Sequence, residues 1–252
     1  MKVSSQLRGV IVPALLFACL EIFTRWNATG SDSIAPPSLA LEALCKVLGD
    51  GTLVRMTGFT LAAAGGGLAI GFVLALVLGT WLGLSRRAGQ WSYLTVEVLR
   101  PMPSVALIPL AMLIFGFGIR MEMTVAAFAV FWPMLILIQS SARQVDRRLM
   151  EVASALELST WSLFFKIIFP AMVPRIFLAL RQGVAIALIV AVTVEIAANP
   201  NGLGYAIMVA QQGLDPALMM AWLIWISILG YAVNGLAALI EKRVAKMMGA
   251  TS

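Results

Sequence analysis

Apolar positions along this chain run in blocks too long for a water-soluble fold. Met56 to Ser85 carries no charged residue over 30 positions, Met102 to Ile119 none over 18, Met123 to Ala142 none over 20 and Ala217 to Ile240 none over 24. A hydrocarbon layer about 30 Å thick is crossed by roughly 20 helical residues rising about 1.5 Å each, so each block predicts a membrane-spanning helix. Two further blocks carry charge near an edge. Gly9 to Trp26 holds Glu21 and Arg25, which stand four apart and so pair on one helix face. Ile176 to Val194 holds Arg181 about one and a half turns from its start, where a long side chain snorkels to the interface. The pattern predicts an all-α polytopic bundle of about six spans: a first helix and outer loop over residues 1–50, a transmembrane domain over 51–245 and a tail over 246–252. Lys2 and Arg8 before the first block also fit a signal peptide, but no small-residue cleavage site follows, so the block reads as a retained helix.

Composition agrees. Hydrophobic residues make up 61% and charged residues 12%, with a mean hydropathy of +0.95, more apolar surface than a soluble domain of this length can hide. The net charge of +6 then reads as topology. With the N-terminus inside, one set of loops and helix ends holds Lys2, Arg8, Arg86, Arg87, Arg100, Arg143, Arg147, Arg148, Lys166, Arg175, Arg181, Lys242, Arg243 and Lys246. The other set holds only Arg25, Lys46, Arg55 and Arg120. Fourteen against four places both termini in the cytoplasm and leaves no reason to invoke nucleic acid.

Several chemistries drop out. The chain has no histidine and only Cys19 and Cys45, one inside the first span and one beyond it, which predicts no disulfide. No HExxH, GxSxG or GxxxxGK[ST] occurs, so metal, hydrolase and phosphate-loop readings fail, no cofactor is called for, and any ATP is bound by another chain.

The second span repeats small residues every fourth position, Ala63, Gly67, Gly71, Ala75, Gly79 and Gly83. Such rows let helix backbones approach closely in lipid, within one subunit first and across a dimer second. Arg100-Pro-Met-Pro103, Pro109 and Gly116-Phe-Gly118 predict a bent third span, and Pro133 a kink in the fourth. Polar groups at membrane depth, Gln139, Ser140, Ser141, Arg181, Thr193 and Glu195, are candidates for a pathway or gate. For Arg181 a neutralising role beside a neighbour weighs more than anion attraction; for Glu195, a cap on the fifth helix weighs equally with an outer gate.

Between Arg143 and Arg175 the character changes. Gln144-Val-Asp-Arg-Arg148 leads into Glu151-Val-Ala-Ser-Ala-Leu-Glu-Leu-Ser159, then Trp161-Ser-Leu-Phe-Phe-Lys166 and Ile167-Ile-Phe-Pro170. Leu149, Val152 and Leu156 recur among charges at helical spacing, predicting one or two short amphipathic helices in the longest cytoplasmic loop. Periodicity alone does not decide between a lipid surface and a partner's groove.

On these residues the chain resembles the membrane subunit of type I ABC importers, and more narrowly the permeases of the nitrate, sulfonate and taurine transport family. Glu151, Ala153, Ile167 or Ile168, and Pro170 fall where that family has its Glu-Ala-Ala start and Ile-x-Leu-Pro end; Val152 replaces the second residue and Glu157 replaces a glycine. Arg55 through Gly83-Leu-Ser85, Arg100-Pro-x-Pro, Ala106-Leu-Ile-Pro-Leu110, Phe115-Gly116, Glu195 and Gly202-Leu-Gly204-Tyr205 extend the likeness over residues 50 to 245.

The resemblance implies two permease copies forming one pathway, two ABC ATPase subunits receiving the Glu151 to Leu158 helix, and an external substrate-binding protein delivering a small, anionic solute. Glu151, Ala153, Ala155, Glu157, Leu158 and Pro170 would then carry ATPase coupling, and Glu157 in place of glycine changes the turn. An ion-coupled carrier would share the kinked spans, yet the first and last three spans show no internal symmetry. A scaffold would need neither pathway nor docking loop.

Overall fold

The computed structural model describes residues 3–26 and 35–247; the tail expected over 246–252 lies outside them beyond Met247. The described residues contain helices and no strand. They run as α1 (Val3–Trp26), α2 (Pro37–Gly49), α3 (Thr52–Leu84), α4 (Arg86–Trp91), α5 (Tyr93–Leu99), a 3-10 turn (Ser104–Leu107), α6 (Ile108–Phe115), α7 (Ile119–Arg143), α8 (Arg147–Ala155), α9 (Thr160–Leu163), a π turn (Phe164–Ile168), α10 (Phe169–Ala197), α11 (Leu203–Gln212) and α12 (Pro216–Met247).

Four helical stretches are long and apolar enough to cross a membrane: Thr52–Leu84, Ile119–Arg143, Thr160–Ala197 and Pro216–Met247. The first, second and fourth answer to the charge-free blocks that begin at Met56, Met123 and Ala217, and the third contains the Arg181-bearing block Ile176 to Val194 and starts well before it. A fifth crossing arises if the pair Arg86–Leu99 and Ser104–Phe115, bent by 86°, counts as one. The third span is bent, as its prolines predict, and the bend is close to a right angle. Its bend lies at Arg100–Pro103, at the start of the charge-free block, where two prolines remove backbone donors. Beyond the bend, Ser104 to Phe115 rises only about 18 Å at about 1.5 Å per residue, short of the hydrocarbon thickness. Gly116 (φ 68°) and Gly118 (φ 121°) end that segment in conformations that side chains rarely adopt.

In α1, the expected Glu21–Arg25 pair forms at 2.6 Å, and Glu21 also accepts the backbone N–H of Ser38 at the start of α2.

The core is the α3–α7–α10 triad. Ala75, Val130, Met134, Ile138, Met172 and Ala187 are among its buried members. α3 and α7 run parallel at very close range, because the small-residue row faces α7. A Cβ on Gly67 would sit 2.6 Å from that of Ala126, and one on Gly83 2.5 Å from that of Ala142. A Cβ on Gly71 would overlap Val130, and one on Gly79 would lie 3.0 Å from the Leu135 carbonyl oxygen. Without a hydrophobic drive in lipid, this dispersion contact between backbones holds the pair. Only 6% of the most apolar part of α12 is buried, so that helix presents most of its hydrocarbon surface outward, as a lipid-facing helix does.

Candidate functional site

Two sites lie at opposite ends of the triad. At one end, α8 leaves α7 through a three-residue link. Asp146 caps it, its carboxylate accepting the Arg148 N–H at 2.8 Å. At its far end Leu158 N–H bonds the Ala153 carbonyl and Glu157 N–H bonds that of Ser154, both at 3.1 Å. This is a Schellman closure, with Glu157 at the left-handed position, φ 49°. Glu157, where the resemblance implies a glycine, thus adopts a conformation that favours glycine. Ala153 turns inward and is buried, whereas Leu149, Val152 and Leu156 are 42%, 53% and 65% exposed. Ala155 and Glu151 are exposed and Leu158 is half-buried. Pro170 stands in the first turn of α10, within a helix that starts at Thr160 and not at the end of a loop.

The other end carries a buried polar network. Glu195 accepts the Thr60 hydroxyl at 2.7 Å and the Gly204 N–H at 2.8 Å. Thr60 in turn accepts the Leu203 N–H at 2.9 Å. Glu122 accepts the Asn199 side-chain amide at 2.6 Å. All four side chains are essentially sealed, with Glu122 at 0% and Glu195 at 1% exposure. Gly202, at φ 92°, lays its backbone over the Glu195 carboxyl, where any Cβ would collide with it. Glu122 and Asn199 were not anticipated from sequence: Glu122 is the charge that bounds the block beginning at Met123.

The other pathway candidates scatter. Arg181 pairs with Glu241 of α12 at 3.0 Å. Gln139 is half-buried in α7, with its backbone carbonyl against Gly83. A cavity of about 530 Å³ opens beside the 86° elbow, lined by Arg100, Ser104, Phe128, Trp132, Pro133 and Val190 among others. Gln139, Arg181 and Glu195 do not line it. Among the described residues no cluster of His, Cys, Asp or Glu has the make-up of a metal site.

Residues 67–246 match the family described as the binding-protein-dependent transport system inner membrane component. The chain belongs to that family. As a member it is a multi-pass inner-membrane permease component, and its relatives are transport subunits. The putative aliphatic sulfonates transport permease SsuC of Bacillus subtilis (strain 168) is 27% identical over 95% of this chain and 87% of its own length. The nitrate import permease NrtB of Synechocystis sp. is 28% identical over 93% and 89%. The riboflavin transport system permease RibX of Chloroflexus aurantiacus is 31% identical over 83% and 78%. In fold the chain is similar to the inward-facing MetNI methionine ABC transporter, with TM-score 0.68 at 19% identity over 77% of this chain and 96% of that one.

Proposed function

We propose that this permease forms the membrane pathway of an ATP-driven importer for a small anionic solute of the sulfonate or nitrate kind, and that α8 is where the force enters. The observation that carries the proposal is the Leu149, Val152 and Leu156 stripe: three aliphatic side chains at i, i+3 and i+7, turned outward on a helix locked at both ends. An amphipathic helix of this form lays its apolar face into a partner's groove. The partner is an ABC ATPase, two copies serving two permease chains, with an external substrate-binding protein supplying cargo. The names of the sulfonate and nitrate relatives support the cargo class. The cavity beside the Arg100–Pro103 elbow, mostly apolar with one guanidinium and one hydroxyl, supports a passage for a small anion there.

The test is copurification of the permease with the nucleotide-binding subunit, followed by uptake in proteoliposomes. Leu156→Asp is expected to abolish association, and Glu151→Lys to leave ATP hydrolysis but lose uptake, both with normal membrane insertion. Uptake driven by an ion gradient with no ATPase present would overturn the reading in favour of a carrier.

A further inference from the structure

We propose that Glu122 and Glu195 form a proton-binding site, in which one proton on Glu122 is shared between the two carboxyl groups and latches the end of the bundle opposite α8. The argument is a count of donors. Glu195 is well supplied, with Thr60 on one oxygen and Gly204 N–H on the other. Glu122 receives only Asn199, on Oε2; its Oε1 has no partner, nor does Asn199 Oδ1, and both atoms are buried. What faces Glu122 is the Glu195 carboxyl, within hydrogen-bonding reach. Two carboxylate oxygens both accept, so their contact requires a hydrogen between them. Glu122, with fewer donors, carries it and gives it to Glu195.

Among the described residues nothing else neutralises the pair. α3 contributes Thr60, the loop after α10 contributes Asn199, and α11 contributes the N–H groups of Leu203 and Gly204, none of which titrates. The cations nearest in sequence, Arg120 beside Glu122 and Arg55 before Thr60, are exposed. Two unpaired anions sealed among apolar helices would be far costlier than one anion facing one neutral acid. On deprotonation the proton leaves for water, the two carboxylates repel, and α7 separates from α10, releasing Asn199 and the Gly202–Gly204 turn. The latch joins α3, α7, α10 and α11, so its loss loosens four elements at once.

The experiment uses the full-length chain in lipid nanodiscs. Infrared spectra at neutral pH are expected to show the carbonyl stretch of a protonated carboxylic acid, shifting in deuterated buffer and absent in Glu122→Gln. The folded state binds one more proton than the unfolded state, so the thermal midpoint of the wild type should fall as pH rises, by about tenfold in the folding equilibrium per pH unit. Glu122→Gln, whose amide supplies a permanent donor, should be flat. Should that variant fail to assemble, Glu195→Gln serves, since its amide donates to the remaining carboxylate and the band should again vanish. A wild type without the band, a band that persists in both variants, or a midpoint that follows sodium or potassium at fixed pH would each overturn the proposal.

Discussion

The indole N–H of Trp225 donates to the Thr57 hydroxyl at 2.8 Å, joining α12 to α3 across 168 positions of chain. It is a polar tie in an otherwise apolar contact. Thr57→Val keeps the shape and removes the acceptor, leaving the indole N–H unpaired, which costs about 1–2 kcal/mol. A lowered thermal midpoint with altered Trp fluorescence checks this; an unchanged midpoint would show that the tie is dispensable.

Glu157 holds a left-handed conformation that costs a non-glycine residue about 1 kcal/mol. Glu157→Gly should therefore raise the thermal midpoint by a few degrees, while Glu157→Val, branched at Cβ, should lower it. Equal midpoints for all three would mean that the α8 closure relaxes freely.

Close packing of α3 on α7 gives a paired comparison within one helix. Gly65 has nothing within 4 Å of a built Cβ, whereas Gly71 meets Val130 and the Ala127 carbonyl. Gly65→Leu should be tolerated, and Gly71→Leu should separate the helices at a cost of about 1–3 kcal/mol or more. Yield of folded protein after detergent extraction reads the difference.

Arg181 and Glu241 are 39% and 22% exposed, so their pair is solvent-screened and contributes at most about 1 kcal/mol. Arg181→Glu should lower stability slightly, and the exchange Arg181→Glu with Glu241→Arg should restore it. A substrate-facing arginine would behave otherwise: the exchange would recover stability but not uptake.

Most of the fold was legible because lipid imposes one coarse rule, an uncharged helix of fixed length, and the blocks at Met56, Met123 and Ala217 obey it. The amphipathic stripe of α8 was legible for the same reason, as a period in the sequence. The bend of the third span was legible in Arg100-Pro-Met-Pro103, but its size and the shortness of the helix beyond it were not, since an uncharged run carries no mark of where its helix stops. The Glu122–Asn199 contact spans 77 positions. Neither residue has a local pattern, and only the tertiary approach of α7 to the end of α10 brings them together.

From Thr160 to Ala197 the chain is helical over 38 residues, about 57 Å at about 1.5 Å per residue. One extremity adjoins the turn that closes α8, and the other carries Glu195. A tilt of about 5° about the midpoint of such a lever sweeps each tip through roughly 2.5 Å over that length. That travel is close to the length of a hydrogen bond, so a small push at one face is enough to make or break a bond at the other.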